Sequence, residues 1–275
     1  MPLSDEQFEL ITRMARTIRY DIVSMIGAGK PGHLGGSCSI AEIVATLYFY
    51  KMRHKPDNPQ WPDRDRFLLS KGHAALAQYA ALAECGYFPK EHLKTLKQLG
   101  TILQGHPDML RTPGIEANTG SLGQGLSIAC GIALGGRLDK KDYRVYCILG
   151  DGEIAEGQIW QATMAASYYK LSNLVAILDK NKIQATGPIV ERFDTNPLPE
   201  KWNAFGWAVS QIDGHDVRQI AQAIDKAEDV KDKPVMIIAH TIKGKGIPFA
   251  ENKADFHHGI MTRRQYEQAI QALSD

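Results

Sequence analysis

Cysteine is scarce: four residues in 275, Cys38, Cys85, Cys130 and Cys147, lie far apart with no C-x-x-C pair and no histidine cluster beside any of them. A disulfide framework is therefore not needed, and buried, reduced thiols acting as small hydrophobes are expected. Charge of one sign is also lacking, because 32 Lys and Arg against 31 Asp and Glu leave a formal +1. So weak a field does not draw a chain to duplex nucleic acid or to anionic lipid. The longest apolar stretch, Ile43 to Tyr50 with Thr46 inside it, falls far short of the roughly 20 residues that span a bilayer. The opening Met-Pro-Leu-Ser-Asp-Glu is without the basic-then-apolar pattern of an export signal. These absences predict a cytoplasmic protein with neither nucleic acid nor membrane as partner.

Repeats, low-complexity tracts and charge blocks are missing too, and Asn196-Pro-Leu-Pro-Glu200 is too short for a domain linker. With 44% hydrophobic and 23% charged residues, the chain reads as one ordinary globular domain over 1–275. Helical spacing runs through 5–28 (Phe8, Ile11, Met14, Ala15, Ile18, Ile22), and Ser4-Asp5-Glu6-Gln7 makes a capping box. Further helices are expected near 41–53, 73–85, 90–98, 124–137, 157–169, 217–228 and 263–273. Short continuous apolar runs lie between them: Val145 to Leu149, Leu174 to Leu178, Trp207 to Ile212 and Val235 to Ala239. Runs apolar on both faces and separated by helices are the signature of a parallel sheet covered on both sides, so the fold class is α/β. In open sheets of this kind ligands sit beyond the carboxyl ends of the strands.

Two strand ends carry the chemistry. Val145 to Leu149 leads into Gly150-Asp151-Gly152-Glu153, where a carboxylate on a glycine turn can ligate a hard cation and the glycines let a phosphate approach the backbone. The next run leads into Asp179-Lys180-Asn181-Lys182-Ile183, with Asn181 thirty positions after Asp151. That spacing is one strand–helix–strand crossover, which returns the chain to the same edge of the sheet. Magnesium takes about six oxygens. Asp151, the Asn181 amide, a backbone carbonyl and two phosphate oxygens leave one place for water, and calcium accepts the same set.

Two nucleotide motifs are excluded. Thr119-Gly-Ser-Leu-Gly-Gln-Gly125 has the wrong order for the dinucleotide fingerprint, and Gly27-Ala-Gly-Lys30 ends in Pro31 where a P-loop needs Ser or Thr. The former, placed before a helix, can instead present N–H groups to an anion.

Gly-Asp-Gly followed by Asn at this distance resembles the thiamine diphosphate motif of transketolases and related enzymes; Lys180 stands where the family usually has a first Asn, and Asn181 keeps the second. Gly32-His33, Leu69-Ser-Lys-Gly-His73, Gln104-Gly-His-Pro107, Thr119 to Gly125, Thr241-Ile-Lys-Gly-Lys-Gly246 and His258-Gly259 are similar to transketolase segments in order along almost the whole chain.

The resemblance implies a diphosphate-binding domain. Its cofactor contacts would come from His73, Gly120, Ser121, Leu122, Gly150, Asp151, Gly152, Glu153, Asn181, Lys243 and His258, and its metal ligands from Asp151, Asn181 and Ile183. Lys71 is a further candidate for oxyanions. His33, His73, His106 and His258 would line the substrate channel and relay protons, with His258 rather than His257 facing the site. Glu156 would join two cofactor sites across a subunit interface. The implied reaction moves a two-carbon ketol unit from a ketose phosphate to an aldose phosphate.

Because the sequence ends after this domain, a separate C-terminal transketolase subunit with the pyrimidine-binding domain is expected, in an α2β2 assembly. Alternatives are half of a deoxyxylulose phosphate synthase or dihydroxyacetone synthase, or a non-catalytic cofactor-binding subunit. The four histidines and the Thr119 to Gly125 loop favour transketolase.

Overall fold

Each of the four apolar runs forms a strand, and a fifth strand joins them. The computed structural model describes residues 3–274. Strands β1 (Arg66–Leu69), β2 (Val145–Gly150), β3 (Leu174–Lys180), β4 (Ala208–Asp213) and β5 (Val235–His240) make a parallel sheet in the order β1-β2-β3-β5-β4. The helices are α1 (Asp5–Ile26), α2 (Leu34–Cys38), α3 (Ala41–Thr46), α4 (Ala75–Cys85) and α5 (Gln124–Leu138). After them come α6 (Gly157–Tyr168), α7 (Ile189–Arg192), α8 (Leu198–Ala204), α9 (Val217–Ala227) and α10 (Arg263–Ser274).

The period-two geometry of a strand explains why the runs are apolar throughout. Alternate side chains point to opposite faces, so Phe67, Leu69, Tyr146, Ile148, Val175 and Ile177 enter one core with α1, α3, α4 and α9. Leu68, Val145, Cys147, Leu149, Leu174, Ala176 and Leu178 enter a second core with α5, α6 and α8. Helices cover both faces, as a parallel sheet requires. The expected capping box is present: the Ser4 hydroxyl accepts from the Gln7 N–H at 3.2 Å, and the Gln7 side chain accepts from the Ser4 N–H at 3.0 Å.

Two local expectations are corrected. The helix predicted over 41–53 stops at Thr46 and continues as a π-helical turn over Leu47–Lys51. The one predicted over 90–98 is only 3₁₀ turns at Lys90–Thr95, because Leu93 alone of that segment is buried and one apolar anchor cannot hold an amphipathic helix. The proline-rich stretch at 196–200 leads into α8, whose first turn tolerates Pro199 because its N–H has no intrahelical partner. Strand β1 has four residues, too few for its periodicity to stand out in the sequence.

Register sets the site. Gly150 pairs with Asp179, Asp179 with Ala239 and Lys180 with His240. Asp151, Asn181 and Thr241 therefore leave the sheet side by side at its carboxyl edge. A two-residue antiparallel pair, Pro31–Gly32 with Gly259–Ile260, ties the loop of His33 to the loop of His257 and His258.

Candidate active site

The carboxyl edge of β2 and β3 opens into a cavity of about 260 Å³. Among its lining residues are Asp151, Asn181, Ile183, Lys71, Lys243 and His257. Asp151 is 4% exposed. Its carboxylate accepts from the backbone N–H groups of Gly152 at 3.0 Å and Lys182 at 2.5 Å. Among the described residues no cationic side chain pairs with it within 4 Å. Burial, with the neighbouring Asp179 second, pushes its pKa up to about 7. A buried carboxylate in that position is short of a cation, so the donor set fits a divalent ion. The Asn181 amide oxygen accepts from the Ile183 N–H at 3.1 Å, which holds the turn that brings the Ile183 carbonyl to the same cavity. That carbonyl accepts from the Lys243 ammonium at 2.9 Å. Burial and then the charge of Lys71 lower the Lys243 pKa to about 8.

Behind the cavity lies a hub that the sequence did not disclose. Asp179 is fully buried and accepts from Ser39 at 2.7 Å, Lys71 at 2.5 Å, Asn181 at 2.8 Å and the Thr241 hydroxyl. Burial alone would raise its pKa, but Lys71 and the hydroxyl donors outweigh it and hold the carboxyl below its ordinary value. Lys71 also donates to the Gly36 carbonyl at 2.7 Å. Four separate segments thus meet on one carboxylate. The signal available in sequence was a polar residue closing an apolar strand, which says nothing about its partners.

Glu153 lines the same cavity, but its carboxylate is already engaged by the chain. It accepts from Ser70 at 2.5 Å, from the Gly123 N–H at 3.0 Å and from the Gly150 N–H at 3.0 Å. Gly123 is the residue that caps α5, so the anion held at that helix start is supplied by the chain itself. Of the adjoining loop, Leu122 lines the cavity while Ser121 is exposed, and Gly120 turns against the His106 ring. Gly150 and Gly152 line the cavity as expected. Loops approach closely at Gly72, where a Cβ would lie 2.6 Å from the Thr119 carbonyl carbon.

The predicted histidines do converge. The His33 ring lies 5.2 Å from His73, 6.1 Å from His106, 5.7 Å from His257 and 4.4 Å from His258, centroid to centroid. His73 and His257 both line the cavity; His257 is half-buried, 4.9 Å from the His73 ring, with its Nδ1 3.1 Å from Lys243. His258 is exposed and is absent from the cavity lining, but its ring is the nearest to His33 of the cluster. The two-residue ladder at Gly259–Ile260 holds this loop beside that of His33. Burial, followed for His33 and His257 by neighbouring rings and lysines and for His73 by Lys71, lowers the pKa of His33 to about 3, of His73 to about 2 and of His257 to about 4. These three imidazoles are neutral at pH 7, each with one nitrogen free to accept a hydrogen bond. Glu156 stands apart, exposed at the start of α6.

Comparison with known proteins agrees with this geometry. Residues 10–273 match the family described as "Transketolase, thiamine diphosphate binding domain". The chain is 47% identical over 271 residues to the 6-deoxy-6-sulfo-D-fructose transketolase subunit of Clostridium sp. (strain MSTE9), covering 98% of each chain. It is 40% identical to an apulose-4-phosphate transketolase subunit of Phocaeicola vulgatus, covering 98% of this chain and 95% of that one. Its fold superposes on the transketolase of Campylobacter jejuni with a TM-score of 0.91 at 32% identity, covering 97% of this chain and 43% of the other. The chain thus spans about two fifths of the length of the solved transketolases it matches. A parallel sheet with a cavity at its carboxyl edge, the Asp151 and Asn181 turns and these matches lead to one conclusion: the chain belongs to the transketolase family, as its thiamine diphosphate-binding domain.

Proposed function

We propose that this chain is the diphosphate-binding subunit of a two-chain transketolase, moving a two-carbon ketol unit from a ketose phosphate to an aldose phosphate. The observation that carries the reading is Asp151, a buried carboxylate without a cationic partner among the described residues, in one cavity with Asn181, Ile183 and Lys243. Asp151, Asn181 and Ile183 would hold a magnesium ion, with calcium able to take the same oxygens. Lys243, which here donates to Ile183, would turn to the diphosphate, while Lys71 would stay paired with Asp179 in the cavity wall. When bound, thiamine diphosphate supplies an electron sink for the two-carbon unit, which no side chain can provide. The imidazoles of His33, His73, His106 and His257 would take and return protons at sugar hydroxyl and carbonyl oxygens. His258, whose ring is 4.4 Å from that of His33, would join them in contact with the sugar.

The partner in this reading is a C-terminal subunit carrying the pyrimidine-binding domain, in an α2β2 assembly. Two relatives that match almost end to end are named as subunits. Glu156 is exposed on this chain and would be covered at the subunit interface. The substrates named for those relatives carry a sulfonate or a phosphate group, in keeping with a sugar phosphate here. Four free cysteines, three of them buried, agree with a cytoplasmic setting, and no helix among the described residues is long and apolar enough to cross a membrane.

Calorimetric titration of thiamine diphosphate with magnesium tests the proposal. Binding that strengthens when the partner chain is added, and disappears in Asp151→Ala, is expected, together with ketol transfer only when both chains are present. Metal-independent binding, or full activity of this chain alone, would overturn it.

A further inference from the structure

His215 lies in the turn between β4 and α9, outside the cavity lining, yet it is bonded to the loop that carries Thr241 and Lys243. Its Nδ1 lies 3.0 Å from the Glu42 carboxylate, and its Nε2 accepts from the Ile242 N–H at 2.8 Å. The two contacts fix the tautomer, since a nitrogen that accepts from an amide carries no proton and the other must then donate. Glu42 is in turn held by Arg19 at 2.5 Å, and Arg19 is buried and also donates to the Cys38 carbonyl. Burial would raise the pKa of Glu42, but Arg19 and then His215 outweigh it and lower it to about 2. The carboxylate therefore stays ionised and the acceptor face of His215 stays turned to Ile242.

The contact is close by construction. The Gly214 N–H donates to the His240 carbonyl at 2.8 Å, and a Cβ on Gly214 would lie 2.4 Å from the Thr241 side chain. Ile242 sits between Thr241, whose hydroxyl donates to Asp179, and Lys243, whose ammonium reaches Ile183 and His257. The geometry points to His215 as a positioning residue: through the Ile242 amide it holds Thr241 and Lys243 in register with the cavity, and so sets diphosphate affinity from outside the site. The inference deepens the functional reading above and rests on it for its ligand.

Two substitutions separate positioning from general support. The amide of Gln reaches about as far as Nε2 and can still accept from Ile242, whereas that of Asn reaches only as far as Nδ1 and keeps the Glu42 contact alone. On the full chain, nitrogen-15 spectra should show a protonated Nδ1 and an unprotonated Nε2 at His215. The Ile242 amide signal should move in His215→Asn and stay near its place in His215→Gln. Titration with thiamine diphosphate and magnesium should show roughly tenfold weaker binding in His215→Asn, the scale of one lost hydrogen bond to a partly buried amide, and recovery in His215→Gln. Equal affinity in wild type and His215→Asn, or an unmoved Ile242 amide, would overturn the inference. If the wild-type chain binds no thiamine diphosphate with or without its partner, the functional reading fails, and the Ile242 amide then decides the positioning role by itself.

Discussion

Lys71 and Asp179, 108 positions apart, form a 2.5 Å ion pair in which both side chains are almost wholly excluded from solvent. The pair joins the loop after β1 to the end of β3 and lies directly behind the cavity proposed to take the diphosphate. Ser39, Asn181 and Thr241 complete the acceptor capacity of Asp179, so the carboxylate is satisfied as well as paired, the condition under which a buried charge is tolerated.

Removing one member of this pair leaves the other charged and alone. Lys71→Met and Asp179→Asn should each destabilise the chain by about 3 to 5 kcal/mol, with the double substitution costing less than the sum of the two. Urea denaturation of the four proteins gives the comparison, and strict additivity would show that the two groups do not act together.

Glu153 makes a sharper case, because both of its oxygens are committed as acceptors. In Glu153→Gln one of those sites becomes an NH₂ group facing a donor, whichever way the amide is turned. A loss of roughly 2 to 3 kcal/mol is expected, with weaker cofactor binding because Ser70, Gly123 and Gly150 lose their common brace. Thermal unfolding and the same calorimetric titration check the two effects, and wild-type stability would remove Glu153 from this role.

Acid should weaken the fold through the histidine cluster. The folded pKa values of His33, His73 and His257 lie near 3, 2 and 4, below the ordinary value near 6.5, so the unfolded chain binds protons first. Their contribution is fully present above about pH 6.5 and is lost as pH falls from there toward the folded values. For His73, the most buried of the three, roughly 1 to 2 kcal/mol should disappear between pH 6.5 and pH 5. Urea midpoints at the two pH values should draw together in His73→Gln, and an unchanged slope would show that His73 is not held neutral.

Much of the fold was legible because its signals are local. Apolar runs at 145–149, 174–178 and 235–239 became β2, β3 and β5 with their ends moved by one or two residues. The Asp151 to Asn181 spacing carried the two turns to one cavity, since a strand, a helix and a second parallel strand leave little choice of where the chain returns. Strand β1 escaped notice because four residues cannot show a period. The approach of His257 and His258 to His33 was equally hidden, because it depends on a ladder between Pro31–Gly32 and Gly259–Ile260, more than two hundred positions apart.

The sequence by itself determined the fold class, the cofactor class and most of the residues that come to the cavity, because periodicity, turn chemistry and motif spacing are properties of short stretches. Only the tertiary structure decided how those residues are paired. That Glu153 braces two loops, that Asp179 gathers Ser39, Lys71 and Thr241, and that His215 reaches Ile242 all follow from contacts between distant segments. Such contacts are set by the packing of helices on two faces of one sheet, and nothing in the local pattern of charges and apolar residues encodes them.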